Sequence, residues 1–265
     1  MRERTSTMKK LTKTIITALI ASSLAAPALS AYEKVHISVN GTVTDIDARL
    51  IGSTTYVDIE DTKRSLGAAS GENLEIHAEV GEPYIACSGR YIGGNDCLEL
   101  DGETFVPVRS LAKIYGADVE WTDETRSVAL TLTGTALASG DDFYIADEVY
   151  WLSRIINAEA EGEPMEGKIL VGNVILNRVH SGEFPDSIYD VIFDRKYAVQ
   201  FTPTANGRIW NEPNADSVTA AKICLDAYYI SRDALYFLNP RIATNFWIPA
   251  NRQFLLSVGG HDFYS

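Results

Sequence analysis

Residues 147–164 read DEVYWLSRIINAEAEGEP, and this stretch decides the fold of the second half of the chain. Leu152, Ile155 and Ile156 recur at the spacing of one helix face, which predicts an amphipathic helix with this stripe buried. Glu159 lies on the same stripe, seven residues after Leu152. Burial raises the pKa of a carboxyl group, and a carboxyl group protonated near neutral pH can act as a general acid. The alternative is a helix that ends one turn earlier and leaves Glu159 in solvent.

Local signals mark the ends of this helix. Asp147 is a suitable N-cap, and we expect the helix to end at Glu159 or Ala160. Gly162 then breaks the helix, and Pro164 suits the first position of a second helix.

The composition is that of a globular, strongly acidic protein. The 265 residues are 46% hydrophobic and 22% charged, which is enough apolar content for one large core or two small ones. The formal net charge is −13, and residues 1–31 hold five basic and one acidic side chain, so the rest of the chain carries −17. Such a charge repels nucleic acids and anionic membranes. We therefore expect no nucleic-acid partner and favour a carbohydrate target.

Residues 1–31 have the parts of a secretory signal peptide. Lys9 and Lys10 belong to a basic start, residues 15–24 form an apolar run too short to span a bilayer, and residues 26–31 offer small side chains for cleavage. We predict a secreted or envelope-bound protein with no transmembrane segment after cleavage. An uncleaved N-terminal anchor is the alternative.

The cysteines and histidines do not suggest a metal site. Cys87 and Cys97 lie in a turn-rich stretch, where they could form a hairpin disulfide or remain free thiols. Cys224 is expected to be a helix residue that packs in the core. The four histidines are scattered, and no Cys/His spacing is typical of a zinc site. We predict no metal and no cofactor.

An internal repeat occupies residues 32–134. The stretch TYVDI at 55–59 is followed by KRSLGA at 63–68, and 49 positions later TFVPV at 104–108 is followed by LAKIYGA at 111–117. Each copy predicts a strand that runs into a short helix ended by glycine. We predict a β-rich α+β module over this range.

Several segments of this module resemble the stalk module also called the copper amine oxidase N-terminal-like domain. They are the hairpin 39–41, VNG, and residues 105–109, 116–121 and 128–130. The resemblance implies attachment to the cell envelope, and it implies no copper site. Asp58 stands where this family has proline, at the entry to the first predicted helix. An inert spacer is the alternative.

A second domain follows a short polar segment. Residues 133–142 are small and polar with two glycines, so we predict a linker over 135–143 and a domain over 144–265. That domain shows helical patterns and then three short strand patterns within 234–264. The fold class that we predict is α+β, with a helix-dominated C-terminal domain and a small sheet.

Motifs along the second domain resemble the spore cortex-lytic and cell-wall hydrolase family, in the family's order. They are residues 154–164, 171–179, 200–202, 207–210, 234–240, 244–248 and 259–263. The resemblance implies a lysozyme/transglycosylase-like fold, a lytic transglycosylase that cleaves the glycan strand of peptidoglycan, and catalysis by Glu159. Glu161 departs from the family, because many relatives have arginine there. Sporulation and germination are family expectations, and the residues leave both spore cortex and vegetative wall open as substrates.

Glycan cleavage of this kind needs a single acid. A glycosidic oxygen must be protonated as its bond breaks. In a lytic transglycosylase the C6 hydroxyl of muramic acid takes the place of water, so one glutamate can act first as acid and then as base. We predict Glu159 in this role, with Asn157 and Glu163 as supporting residues, and we expect Glu163 to cap the following helix.

Loop residues of the second domain suit a sugar-binding cleft, because aromatic faces beside polar groups match the two kinds of surface on a sugar ring. The alternative is that many of the loop aromatics pack in the core. The predicted substrate contacts are Gln200, Thr202, Tyr236, Asn239 and Trp247.

Two other function classes stay open. An amidase that cuts between glycan and stem peptide would use zinc or a cysteine nucleophile, and the scattered histidines and core-like Cys224 disfavour it. An envelope-binding protein without activity is the other class. The intact motif around Glu159 disfavours it, whereas the departure at Glu161 keeps it open.

Overall fold

The computed structural model describes residues 32–135, 137–196 and 198–265. The predicted signal peptide lies outside the described residues. Tyr32–Ser265 forms one compact unit. The predicted boundaries of module, linker and second domain stay predictions; below, 32–134 is called the N-terminal part and 144–265 the C-terminal part.

Short strands and two helices build the N-terminal part. In chain order they are β1 (Glu33–Lys34), β2 (His36–Val39), β3 (Thr42–Val43), β4 (Ala48–Ile51), β5 (Thr54–Asp58), α1 (Ile59–Ser70), β6 (Ile76–Ala78), β7 (Tyr84–Cys87), β8 (Arg90–Gly93), β9 (Leu98–Leu100), β10 (Glu103–Pro107), α2 (Val108–Ile114), β11 (Ala117–Thr122) and β12 (Ser127–Leu132). They form sheets of order β1-β4-β5-β10-β9, β11-β12-β2-β3 and β6-β7-β8. β2 and β12 pair in parallel, whereas the central strands β5 and β10 pair antiparallel.

The predicted repeat is a pair of strand–helix units whose strands, β5 and β10, lie side by side. Val57 lies opposite Val106 in this pairing. The Asp58 carboxylate accepts a hydrogen bond from the Asp61 N–H at 2.8 Å, so aspartate caps α1 where the family has proline. Pro107 holds the equivalent position before α2 and makes no side-chain cap bond. The two copies thus enter their helices by different chemistry.

The predicted glycine stop is wrong for the first copy. α1 continues through Gly67 to Ser70 and ends at Gly71, whose φ of +78° is the left-handed conformation that glycine adopts at little cost. Gly67 serves close packing instead, because a Cβ there would lie 2.8 Å from the Glu72 carbonyl oxygen. In the second copy α2 ends at Ile114, and Gly116, which follows the C-cap Tyr115, has a φ of +60°.

Helices dominate the C-terminal part, which follows the short helix α3 (Gly140–Phe143). The elements are α4 (Ala146–Ala160), α5 (Met165–His180), α6 (Ile188–Phe193), α7 (Pro203–Asn206), a 3-10 turn (Arg208–Trp210), α8 (Ala215–Leu225), β13 (Tyr236–Leu238), α9 (Trp247–Asn251), β14 (Phe254–Val258) and β15 (His261–Tyr264). The three strands form an antiparallel sheet of order β13-β15-β14. The predicted α+β class is confirmed.

α4, α5 and α8 pack against one another around the C-terminal core. The predicted stripe of Leu152, Ile155 and Ile156 is fully buried there. α5 lies at the centre, and Gly172 lets α8 approach it closely, because a Cβ at this position would lie 2.6 Å from the Cys224 sulfur. The helix pair therefore tolerates no side chain at Gly172.

The predicted start of α4 is wrong by two residues. Its N-cap is Ile145, which makes no side-chain cap bond, and the Ile145 carbonyl accepts from the Val149 N–H at 3.1 Å. Asp147 lies within the first turn, where its negative charge interacts favourably with the positive end of the helix dipole. The aspartate thus supports the helix start through its charge instead of through a cap bond.

The N-terminal and C-terminal parts are in direct contact. β8 packs against α8, and Gly93 has no side chain because the ring of Tyr228 occupies that space. The Gly140 N–H donates to the Ser88 carbonyl at 2.8 Å, which attaches α3 to the turn between β7 and β8.

All three cysteines are buried and unbridged. Of the two alternatives for Cys87 and Cys97, the structure therefore has the free thiols. Across the three described ranges, no helix combines the length and the hydropathy that crossing a membrane would need.

Candidate active site

Glu159, in the last turn of α4, lines a cleft of about 1400 Å³. Its side chain is partly buried, and burial raises its pKa to about 7, against the opposing charge of Arg208. The carboxyl group is thus about half protonated near neutral pH, which suits a group that must give up and take back a proton. The alternative that α4 ends one turn earlier is wrong.

Arg208 begins the 3-10 turn and also lines this cleft. Its backbone N–H donates to the Asn206 side-chain oxygen at 3.0 Å, which fixes the turn, while its side chain is exposed. A cation at this place favours the ionised form of Glu159. Arg208 would therefore stabilise the carboxylate that remains after Glu159 has donated its proton.

The five residues predicted as substrate contacts line the same cleft as Glu159. They are Gln200, Thr202, Tyr236, Asn239 and Trp247. These five residues are up to 88 positions from Glu159 in the chain, and the fold brings them into one cleft. Their roles as substrate contacts stay predictions.

Tyr236 and Trp247 form an aromatic wall that is fixed by Arg252. The Arg252 guanidinium donates to the Tyr236 hydroxyl at 2.7 Å and lies 4.4 Å from the centre of that ring. It also lies 5.4 Å from the ring of Trp247, which is 51% exposed. The wall therefore presents a rigid apolar face, as stacking of a sugar ring requires.

Arg178 of α5 carries a buried positive charge to the cleft. Its side chain is 4% exposed, its Nε donates to the Leu235 carbonyl at 2.8 Å, and its Nη1 donates to the Gln200 side-chain oxygen at 3.4 Å. Loss of solvent lowers its pKa to about 10, so it remains charged at neutral pH. Three rings lie within 5.2 Å of the guanidinium, those of Phe184, Phe201 and Tyr236.

Glu163 holds the turn between β14 and β15. Its Oε2 accepts from the Gly260 N–H at 2.7 Å, and its Oε1 lies 3.6 Å from Nδ1 of His261. Glu163 does not cap α5, because Pro164 occupies the N-cap and makes no side-chain bond, so that prediction is wrong. The turn at Gly259, with φ of +58°, brings its backbone so close that a Cβ there would overlap Glu163.

His261 completes this contact and lines the cleft with Glu163. It is 7% exposed, and its Nδ1 has no hydrogen-bond partner among the described residues. Burial lowers its pKa, although Glu163 and Asp262 oppose the shift. The ring stands edge-on to Phe237 at 5.3 Å between centres, which fixes its orientation.

Asn157 does not line the cleft. Its side-chain oxygen accepts from the Asn214 N–H at 3.0 Å and from the Ser217 hydroxyl at 3.1 Å. These bonds attach the start of α8 to the last turn of α4. An effect of Asn157 on Glu159 through this attachment stays a prediction.

Residues 162–264 match the family model described as Cell Wall Hydrolase. This segment is a cell wall hydrolase domain. Residues 94–144 match the model of the copper amine oxidase N-terminal domain, so both family resemblances are confirmed. Glu159 itself lies three residues before the matched segment of the hydrolase domain.

The cell wall hydrolase domain is similar to curated spore cortex-lytic enzymes. One from Oceanobacillus iheyensis is 36% identical over 130 residues, which are 49% of this chain and 46% of the relative. One from Bacillus subtilis is 36% identical over 117 residues, 44% of this chain and 37% of the relative. This chain thus spans less than half the length of these relatives.

One solved structure is similar to the same half of the chain. It is the catalytic domain of the germination-specific lytic transglycosylase SleB from Bacillus anthracis, 32% identical, with 49% of this chain and 100% of that chain covered and a TM-score of 0.42.

The sequence patterns did not single out four cleft residues of the cell wall hydrolase domain: Arg178, Arg208, Arg252 and His261. For Arg178 a signal existed, since it is the one charged residue between Ile169 and Val179 of α5. Its burial depends on the rings of Tyr236 in β13 and of Phe184 and Phe201, which lie outside α5, so no local pattern of α5 could reveal it.

Proposed function

We propose that this protein is a lytic transglycosylase that cleaves the glycan strand of peptidoglycan, with Glu159 as its single acid and base. The observation that carries the proposal is the desolvated carboxyl group of Glu159, with a pKa of about 7, on the wall of a cleft large enough for several sugar rings. The sequence similarity to spore cortex-lytic enzymes supports the same substrate class.

The reaction needs two proton transfers at one residue. Glu159 donates its proton to the glycosidic oxygen as the bond between that oxygen and muramic acid C1 breaks. The C6 hydroxyl of the same muramic acid then forms a bond to C1, and its proton returns to Glu159. The products are a 1,6-anhydromuramic end and a glucosamine residue with a free hydroxyl, and no water is consumed.

Several cleft residues fit supporting roles in this reaction. Arg208 stabilises the Glu159 carboxylate between the two proton transfers. The wall of Tyr236 and Trp247 offers a stacking face for a sugar ring, and Gln200 offers a polar group held by Arg178. These contacts orient C1 of the substrate toward Glu159.

An amidase that uses a cysteine nucleophile is disfavoured by the state of Cys224. The thiol is fully buried between α5 and α8, and burial raises its pKa far above the ordinary value. A nucleophilic cysteine needs the thiolate form and access to substrate. Cys224 has neither.

The proposal extends to where the protein works. The signal-peptide pattern of residues 1–31 supports export, the N-terminal part supports attachment to the cell envelope, and the names of the relatives support the spore cortex as substrate. The protein would thus act outside the cytoplasmic membrane, on peptidoglycan.

The decisive experiment is mass spectrometry of products released from purified cortex and vegetative sacculi. The wild-type protein of residues 32–265 is compared with its Glu159→Gln variant. The Glu161→Gln variant is the matched control, because Glu161 is an exposed glutamate two residues away that does not line the cleft. We expect anhydromuramic ends from the wild type and the control and none from Glu159→Gln. Reducing sugar ends, freed stem peptides or no products from the wild type would each overturn the proposal.

A further inference from the structure

A second cavity, of about 670 Å³, lies in the N-terminal part and shares no residue with the Glu159 cleft. Strands β4, β5, β11 and β12 and helix α2 contribute to its walls. Tyr228 also lines this cavity. It comes three residues after the end of α8, and its ring packs on Gly93. The N-terminal and C-terminal parts thus build this cavity together.

The charged side chains that line this cavity are all basic, although the protein as a whole is acidic. Three basic residues, Arg109, Lys113 and Arg126, line it, and within the described residues no aspartate or glutamate does. The chain outside residues 1–31 carries a net charge of −17. A cationic lining in so acidic a protein favours an anionic ligand over the neutral parts of a glycan.

Arg109 is the basic residue whose charge remains available for a ligand. Lys113 forms an ion pair with Asp226 at 2.6 Å, and Arg126 forms ion pairs with both Glu33 and Asp123. The exposed side chain of Arg109, on the surface of α2, has no hydrogen-bond or ion-pair partner in the described part of the chain. An arginine of this kind can bind a carboxylate through two hydrogen bonds.

The remaining lining suits a peptide of small residues. Trp121 is partly buried, and the Arg126 guanidinium lies 5.0 Å from the centre of its ring. The ring gives the cavity an apolar surface. Asn95 donates to the Thr54 hydroxyl at 2.7 Å and also hydrogen-bonds the Tyr56 side chain, and its amide oxygen is of the kind that can accept from a peptide N–H. Polar groups for a backbone thus lie beside a cation for a carboxylate.

We propose that this cavity binds the stem peptide of peptidoglycan through its free carboxylates, with Arg109 as the main cationic contact. The inference rests on the proposed function, because that function places stem peptides beside the glycan strand that the cleft holds. Binding of the peptide at the N-terminal part would keep the enzyme on its polymeric substrate between cleavage events.

The test is calorimetric binding to residues 32–265 carrying Glu159→Gln, so that no cleavage occurs. The probe is the tetrapeptide L-Ala-γ-D-Glu-meso-diaminopimelate-D-Ala, with the same peptide amidated at its three carboxylates as the ligand control. We expect amidation to weaken binding at least tenfold. We expect Arg109→Gln to do the same, and Arg64→Gln, an exposed arginine of α1 outside the cavity, to leave the affinity unchanged. Raised salt should weaken the binding of the tetrapeptide only.

Equal affinity for the amidated peptide, equal effects of Arg109→Gln and Arg64→Gln, or binding of the peptide-free disaccharide in place of the tetrapeptide would overturn the inference. Because the probe is a free peptide, this result is independent of glycan cleavage. The product analysis of Glu159→Gln can therefore fail while peptide binding holds, and the reverse can also occur.

Discussion

Arg90 and Asp226 form a buried salt bridge between the N-terminal and C-terminal parts. Arg90 Nε and Nη2 donate to the two carboxylate oxygens of Asp226 at 2.6 and 2.8 Å, and the side chains are 5% and 1% exposed. Lys113 and the Tyr144 hydroxyl contact the same carboxylate. A carboxylate with this many partners fixes the contact between β8 and the end of α8.

Asp226→Asn should destabilise the protein strongly. The substitution leaves the Arg90 guanidinium buried without a counter-charge, which costs about 3–5 kcal/mol of the free energy of unfolding. Urea unfolding at pH 7 measures the change. Asp123→Asn is the control, because Asp123 pairs with Arg126 on the surface, and we expect a much smaller change there. Similar effects of the two substitutions would contradict the importance of the buried pair.

The same pair predicts how stability depends on pH. Burial alone would raise the pKa of Asp226, but Arg90 and Lys113 outweigh it, so the folded pKa is lowered. The pKa of an aspartate in the unfolded chain is about 3.9. The stabilisation is therefore present above that pH and is lost as the pH falls through the lower folded pKa. The difference between wild type and Asp226→Asn should shrink over that range.

Features that neighbouring residues in the chain determine could be predicted from the sequence, whereas features that depend on residues far apart in the chain could not. The buried stripe of α4 and the three strands within 234–264 follow from local periodicity, and the structure has both. Glu159 was found because burial of its helix face is itself a local pattern. The cap prediction for Asp147 failed because Ile145 begins the helix with backbone bonds alone.

Features that depend on distant segments were not predictable in this way. Glu163 looked like a cap for the next helix, but the turn at Gly260, 97 residues away, takes its carboxylate. Arg178 enters the cleft because β13 and the loop around Phe201 pack over it. The choice of Asp226 as partner for Arg90, 136 residues earlier, likewise exists only in the folded chain.

Glycan cleavage should be lost as the pH rises through the pKa of Glu159. The protonated acid is the active form, and burial places its pKa at about 7, so rates should be highest below this pH and fall above it. Arg208→Gln removes a cation that lowers this pKa, so the alkaline limb should move to higher pH. Initial rates of anhydromuramic product between pH 5 and 9 measure both effects. Arg241→Gln, a basic loop residue that does not line the cleft, should leave the limb in place.

Glu159→Gln should make the folded protein more stable at alkaline pH. The folded pKa of about 7 exceeds that of an unfolded glutamate, about 4.3, so the folded state loses stability as the pH rises from 4.3 through 7. The loss is at most about 3 kcal/mol, since partial exposure lets solvent screen the charge. Urea unfolding at pH 8 should show the gain in Glu159→Gln and not in Glu161→Gln. Equal stabilities at pH 8 would mean that Glu159 is solvated.

Substitutions at Glu163 separate a positioning role from a catalytic one. Glu163→Gln retains an oxygen that can accept from the Gly260 N–H, whereas Glu163→Ala leaves that donor without a partner and removes the carboxylate that lies 3.6 Å from His261. If Glu163 positions the β14–β15 turn, the glutamine variant should keep its activity within about tenfold. The alanine variant should lose considerably more and unfold at lower temperature. The measurements are the rate of anhydromuramic product and the thermal midpoint of each variant.

The opposite pattern would change the proposed mechanism. A folded Glu163→Gln that is as inactive as Glu159→Gln would make Glu163 a second catalytic carboxylate, because both residues line the same cleft. A second carboxylate activates water in inverting glycosidases, so the wild type should then release reducing ends. Anhydro products together with an active Glu163→Gln instead require that one carboxyl group, that of Glu159, both donates and accepts the proton.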